Sequence, residues 1–370
     1  MVEGLRSGTG AQRAPHPKPL PGGARGQCRC GIDVHAHVVP QHFPSYLGAL
    51  ANAPVAWPSS VAAPDASGLC HRHILISGKT YRTVSEKCWS PSRRLADLPA
   101  MGLARQAISP MPELLSYWFE PAAAQQLLRY LNEQIAEMVD ESAGALIGLG
   151  AVPLQDLDAA IAELRHVIEV LGFVGVEIGS NVNGVAIGDP RFWPFFGACE
   201  SLGAAVFVHA LKPVGMDRLI GPPVLQQTLA YPSDVGLAAA SVITGNLLLR
   251  FPRLRIAFSH GGGTLASLLP RLEQAWKLFP ALRDQVEASP REQARRLYVD
   301  SLVFDAATLR HLVDSFGATQ VLLGTDHPFH FHDATPVDSI DEAGFSADTA
   351  AQLVHRNAEV FLGLPSRPSA

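Results

Sequence analysis

For most of its length the chain alternates between short apolar runs and longer amphipathic stretches. The short runs are Gly31–His35, Arg105–Ser109, Ala145–Val152, Val174–Gly179, Ala204–His209, Leu254–Ser259, Leu297–Ser301 and Gln320–Thr325. They are rich in Val, Ile, Leu, Phe and Ala with little polar alternation, as expected of strands covered on both faces in a parallel sheet. Pro121–Glu141 and Asp156–Leu171 instead space their apolar residues three and four apart, which predicts helices with one buried stripe. Strand-like and helix-like segments in alternation predict βα units. Eight such strands predict an α/β architecture, a (β/α)8 TIM-like barrel over residues 30–365. A last amphipathic segment, Ser346–Leu362, predicts a helix that packs on the barrel exterior or closes its base.

Two connections are too long for a simple βα loop. Residues 40–98 hold Pro, Gly, Ser and aromatics around two β-like pieces, His73–Ile76 and Thr80–Val84, joined by Ser77-Gly78-Lys79. This predicts a small hairpin subdomain inserted after strand 1. Insertions there sit above the mouth of a barrel, where they shape a pocket. Leu211–Ser241, after strand 5, is a second candidate lid. Residues 1–29 are rich in Gly, Pro and Arg without hydrophobic periodicity, so a disordered tail is expected, with no secretory signal and only a weak likeness to a transit peptide.

Composition narrows the partners. Of 370 residues 47% are hydrophobic and 17% charged, with a formal net charge of −5, which offers no electrostatic footprint for nucleic acid. No apolar run approaches the ~20 residues that cross a bilayer. A small-molecule substrate is the expectation. The five cysteines are odd in number and irregularly spaced, so reduced thiols in a cytoplasmic protein are expected. Cys28-Arg29-Cys30 lacks a second pair that would complete a zinc site.

Candidate chemistry lies where the apolar runs stop. His35 and His37 follow strand 1, His209 ends strand 5, His260 follows strand 6 and Asp326 follows strand 8. A parallel barrel gathers the C-terminal ends of its strands at one mouth, so these residues can share a site despite their separation. Period-two geometry points His35 and His37 to one face. A carboxylate such as Asp326 needs a partner if buried; a metal would serve, or Asp326 could cap the next helix. His260 precedes Gly261-Gly262-Gly263, whose freedom lets backbone come close to a ligand ahead of a helix expected near Thr264. It could move a proton or be a fourth nitrogen ligand, and the residues alone leave both open. His71, His73, His166, His311 and His355 are expected in loops or on helices, while one of His327, His330 and His332 is expected near substrate.

Several segments together carry a family likeness. Asp33-Val34-His35-Ala36-His37, Glu86-Lys87-Cys88-Trp89-Ser90-Pro91, Ser116-Tyr117-Trp118, Leu171–Gly179, Ser259–Gly263 and Gly324-Thr325-Asp326-His327-Pro328-Phe329 resemble the amidohydrolase-2 branch of the amidohydrolase superfamily. The Cys-Trp and Ser-Tyr-Trp pieces are similar to its decarboxylases of carboxylated muconate semialdehydes. The resemblance implies one zinc held by His35, His37, His209 and Asp326, with His260 hydrogen-bonded to a water on it, and no organic cofactor. It implies that Arg82 binds a substrate carboxylate, with Phe329 beside the substrate, and that Arg271 reaches the neighbouring subunit's site in a homodimer. Guanidinium suits that task because its planar fork binds a carboxylate bidentately. The implied activity is zinc-dependent non-oxidative decarboxylation of a small carboxylated semialdehyde or aromatic acid, with His260 and Asp326 as the catalytic pair. Hydrolysis or hydration of a lactone or C–N bond is the alternative, and a catalytically dead binding homologue a third. The chain departs from the group's pattern at Ala210 and Leu211, at Ile76 in place of lysine, and in a lid without tryptophan, where Gln227 stands at an expected tryptophan position.

Overall fold

The computed structural model describes residues 30–46, 56–64 and 70–365; the N-terminal segment with Cys28 lies outside them. Eight parallel strands follow one another around a barrel: β1 (Gly31–Asp33), β2 (Leu103–Pro110), β3 (Leu146–Ala151), β4 (Gly175–Gly179), β5 (Ala205–His209), β6 (Arg255–Phe258), β7 (Tyr298–Asp300) and β8 (Val321–Leu322). Each pairs with its successor, as in β4 and β5 from Gly175↔Ala205 to Gly179↔His209. The barrel closes between β1 and β8 just beyond their regular ends. Val34 N donates to Leu323 O at 2.9 Å, Asp326 N to His35 O at 2.8 Å and His37 N to His327 O at 2.9 Å. Beyond β1, His37–Val38 pairs with Ser109–Pro110, so the segment carrying His37 is held against β2.

Packing follows the pleat. On β5, Val206 and Val208 join the outer core under the helices, whereas Ala205 and Phe207 join the inner cluster with Ile147, Leu149 and Ala257. His209 has the same parity as Phe207, which directs it inward at the mouth. At the opposite end, Ala358, Phe361 and Leu362 join the same inner cluster, so the C-terminal helix closes the barrel base. The two expected helices appear as Pro121–Asp140 and as Leu157–Arg165 continuing through Val170. The second is N-capped by Asp156, whose side chain accepts from Ala159 N.

The insertion differs from the expected hairpin. It is a three-stranded antiparallel sheet of Ser59–Ala63, His71–Ile76 and Lys79–Ser85. The first strand escapes notice because only Val61 in it is strongly apolar, and that side chain is exposed. His71 therefore lies on a strand, not in a loop or helix, and His73 begins the β-like piece that the same strand contains. Ser77 and Gly78, both at positive φ (55° and 69°), make the tight turn that suits right-twisted strands. The second lid region is a loop with a 3-10 turn at Met216–Arg218 that passes through the helical stretch Gln226–Ala230 into the helix Tyr231–Thr244. No helix among the described residues is long and apolar enough to cross a membrane.

Candidate metal centre and active site

The β1–β8 seam and the ends of β5 and β6 bring five predicted residues to one point. His35, His37, His209 and Asp326 each offer a ligand atom, and these atoms lie within 4.8 Å of one another. His35 Nε2 is 3.1 Å from His37 Nε2, and Asp326 Oδ1 is 3.3 Å from His37 Nε2 and 3.7 Å from His35 Nε2. Tetrahedral coordination with metal–nitrogen bonds of about 2.0–2.1 Å places ligand atoms roughly 3.3 Å apart, so the spacing fits a small divalent cation.

The other ring nitrogens explain why Nε2 faces the centre. His35 Nδ1 is 2.7 Å from Asp300 Oδ2, His37 Nδ1 is 3.2 Å from Pro110 O and His209 Nδ1 is 2.9 Å from Ala210 O. Each pairing is with an acceptor, so each Nδ1 carries a proton and each Nε2 is the nitrogen turned toward a cation. Burial holds His37 and His209 below the usual histidine range. Burial also opposes ionisation of Asp326, but the hydrogen bond with His37 and the nearby histidines bring it down to about 2, so it is an anion. For His35 burial is outweighed by Asp300 and the other carboxylates, which push it up to about 9. A proton in that position is what a bound cation would displace. The donor set, its spacing and its fixed tautomers fit a divalent metal.

His260 stands beside these ligands, its ring centroid 4.9 Å from that of His209 and 5.3 Å from that of His35. Residues 260–263 all have positive φ (53°, 65°, 71° and 60°), a backbone path that only glycine follows without strain, and glycine fills three of the four positions. His260 is held there because Asp300 accepts from His260 N at 3.0 Å and from Gly261 N at 2.7 Å. Its Nδ1 faces Ser259 Oγ at 3.0 Å, and burial lowers its pKa to about 4, so the ring is neutral. The helix after the glycines runs from Leu265 to Leu278. Gly324 is required for another reason: a Cβ there would lie 2.7 Å from Asp300 Cβ and 3.0 Å from His35 Cβ.

Above the ligands, a pocket is lined by Arg82, Pro112, Glu113, Gln227, Tyr231, Leu302, Phe304, Phe329 and Phe331 with His37, His209, His260 and Asp326. Phe329 is sandwiched: its ring stacks on His37 at 5.5 Å and 22°, and the Arg82 guanidinium lies 4.0 Å from its centroid. The inserted sheet thus delivers Arg82 to the mouth. Arg271 is not brought there; it is exposed on the helix Leu265–Leu278. Of the three late histidines, His330 lines an adjoining outer pocket, while buried His327 bridges Asp97 and Gln106.

Several residues here escaped sequence reasoning. Asp300 ends β7 by the same rule that flagged the ligands. Glu177 interrupts the apolar run of β4; it accepts from Ser109 Oγ, lies 3.5 Å from His37 Nδ1, and burial pushes it up to about 8. Asp33 accepts from Gln106 Nε2, Thr325 Oγ1 and His35 N, tying β1, β2 and β8 together. Glu113, in the turn after β2, carried no sequence signal.

Comparison with known proteins bears on what this arrangement does. The amidohydrolase family model matches residues 32–364. The chain is similar to 2-amino-3-carboxymuconate-6-semialdehyde decarboxylase of Dictyostelium discoideum, 38% identical over 338 residues, covering 90% of this chain and 91% of the relative. In fold it is similar to 5-carboxyvanillate decarboxylase from Sphingomonas paucimobilis (TM-score 0.72, 22% identity, 91% of this chain and 100% of that one). It is also similar to dihydroxybenzoic acid decarboxylase from Polaromonas sp. JS666 with bound manganese and 2-nitroresorcinol (TM-score 0.65, 21% identity, 73% and 85%).

Proposed function

Because the chain belongs to the amidohydrolase family, we propose that it is a metal-dependent, non-oxidative decarboxylase of a small carboxylated semialdehyde or aromatic acid. The observation that carries this reading is a preorganised set of three histidines and one carboxylate beneath a pocket walled by Arg82 and Phe329. Relatives in sequence and fold bear decarboxylase names, among them the carboxymuconate-semialdehyde enzyme. His35, His37, His209 and Asp326 would hold the cation, for which zinc is the proposed identity because the three-nitrogen, one-oxygen set suits it. When bound, a divalent cation supplies Lewis-acid polarisation and lowers the pKa of coordinated water.

The protein's own groups account for the remaining requirements. Arg82 orients the substrate carboxylate, and Phe329 packs against the substrate while holding Arg82 and His37 in register. Loss of carbon dioxide leaves a bonding pair on the former α-carbon, so a proton must be taken up and delivered. His260, neutral and with Nδ1 toward Ser259, has Nε2 available for that transfer. Asp326 is the second acid–base candidate.

The functional unit in this reading is a homodimer in which Arg271 completes the neighbour's site. Its support is an apolar strip on the same side of the barrel. Leu268, one helical turn before Arg271, is 50% exposed and lines a groove with Leu229 and Leu237, which are 54% and 56% exposed. Such a strip is a self-association surface of the expected kind. The proposed location is the cytoplasm, where buried thiols such as Cys88 and Cys199, both pushed up in pKa by burial, stay reduced and inert.

The test is carbon dioxide release by the zinc-loaded protein from freshly generated 2-amino-3-carboxymuconate-6-semialdehyde and then from hydroxybenzoates, with His260→Ala as control. His260-dependent release supports the reading. Ring-opened or hydrated products formed without carbon dioxide would move the enzyme to the hydrolytic alternative.

A further inference from the structure

Consecutive side chains of a regular strand face opposite sides, yet Tyr81 and Arg82 of the inserted sheet both reach the barrel mouth. A bulge explains this. The pairing of Lys79–Ser85 with His71–Ile76 passes from Thr80↔Leu75 directly to Arg82↔Ile74, so Tyr81 has no partner and turns with its neighbour. The Arg82 guanidinium then lies 4.0 Å from the Phe329 centroid and 6.0 Å from that of Tyr81. The Tyr81 hydroxyl donates to Glu113 Oε1 and lies 3.3 Å from the hydroxyl of Tyr231. Tyr231, on the helix after β5, donates to the same carboxylate oxygen at 2.6 Å. Burial, with the Glu113 charge beside them, raises the pKa of both phenols, so both remain donors. One carboxylate oxygen therefore joins three elements above the metal ligands: the inserted sheet, the turn after β2 and the helix after β5.

Arg82 depends on such support. It forms no hydrogen bond or ion pair among the described residues, so its place is set by the Phe329 ring and by the seating of its strand. Burial disfavours its charge, and Glu113, followed by Asp326, more than offsets that. Glu113 Oε2 is buried with no hydrogen-bond partner among the described residues, so no second donor screens its field. Resting on the decarboxylase reading, in which Arg82 receives a substrate carboxylate, we propose that Glu113 is a positioning residue that clamps the inserted sheet to the barrel through Tyr81 and Tyr231 and so sets the reach of Arg82 into the pocket. With the clamp made, the guanidinium stands in place before substrate arrives. Without it, substrate must order both the strand and the side chain, and binding weakens by that cost. The clamp acts through Arg82 and is not required to touch the substrate.

The experiment reads Arg82 itself and then substrate affinity, on metal-loaded wild type, Tyr81→Phe, Tyr231→Phe and Glu113→Gln, with melting temperatures to confirm folding. Modification of Arg82 by phenylglyoxal, followed by peptide mass spectrometry, reports how often the guanidinium leaves its seat. Tyr81→Phe should speed that modification roughly tenfold or more, the scale of one hydrogen bond to a charged group. Glu113→Gln should also speed it, because a neutral amide holds the phenols less strongly, and Tyr231→Phe should do so least, because Tyr81 keeps its tie. In carbon dioxide release, Tyr81→Phe should raise KM by a similar factor. That rise should shrink to below about twofold in an Arg82→Lys background, where the planar fork that the clamp sets is gone. Unchanged Arg82 reactivity in folded Tyr81→Phe and Glu113→Gln, an unchanged KM, or a KM rise that persists undiminished beside Arg82→Lys would overturn the proposal. Faster modification of Arg82 in the variants, with no carbon dioxide released by wild type, would instead overturn the reaction and leave the clamp intact.

Discussion

Replacing Asp300 by asparagine tests how much of the centre depends on a residue that touches neither metal nor substrate. Four buried donors converge on this carboxylate: His35 Nδ1 at 2.7 Å and His260 N at 3.0 Å on Oδ2, Gly261 N at 2.7 Å and Leu302 N at 3.1 Å on Oδ1. Asparagine keeps one oxygen, so in either orientation two of the four donors face an NH2 group. At about 1–3 kcal/mol for each stranded buried donor, the cost is about 2–6 kcal/mol. With an unfolding entropy of about 2.1 cal/mol/K per residue, 370 residues lose roughly one degree of melting temperature per 0.8 kcal/mol. The metal-free variant should therefore melt about 3–8 °C lower. If the amide faces His35, the ring must turn or change tautomer and withdraw the Nε2 lone pair. If it faces Gly261, the left-handed turn holding His260 loosens. Outer partners of metal-binding histidines are worth roughly 10–100-fold in metal affinity. Competition against a chromophoric chelator, with calorimetric melting of the metal-free protein, measures both effects. Wild-type affinity together with a melting temperature unchanged to within about 1 °C would refute the assignment.

Other consequences can be checked alongside. His260→Ala should retain metal, because the four ligand atoms are supplied elsewhere, yet lose most turnover; loss of metal in a folded variant would make His260 a ligand. Arg82→Ala and Arg271→Ala should each be nearly inactive alone, whereas mixing them should restore part of the activity through one intact composite site per heterodimer. Absence of recovery in verified heterodimers would end the shared-site proposal. Burial lowers His327 to about 4, although its Nε2 lies 2.9 Å from Asp97, so below about pH 6.5 the unfolded chain takes up a proton that the folded one refuses. Its contribution to stability is complete above about pH 6.5 and is lost as pH falls to about 4, with a slope of up to about 1.4 kcal/mol per pH unit. His327→Gln should flatten that limb in melting curves recorded across the interval, and an unchanged slope would show that other groups carry it.

Local sequence was enough to determine the strand order, the helices between strands, and the residues at the strand ends. Apolar runs such as Val206-Phe207-Val208 must be covered on both faces, and a polar residue at their end must lie at a barrel mouth. That rule identified His35, His37, His209, His260 and Asp326, and it applied equally to Asp300, which went unread because no motif singled it out. Glu177 was likewise visible as a charge inside an apolar strand. Other features depended on distance across the fold. Glu113 becomes a pocket residue only when an inserted strand brings Tyr81 and the helix after β5 brings Tyr231, across separations of 32 and 118 residues. The tautomers of the ligands are decided by acceptors from β7, from Pro110 and from Ala210, and the contact of Arg82 with Phe329 by the seating of the inserted sheet. Periodicity records what each segment must bury, a local property. Hydrogen-bond partners and charge neighbours are set by which segments meet when the barrel closes, and that is decided by the tertiary structure alone.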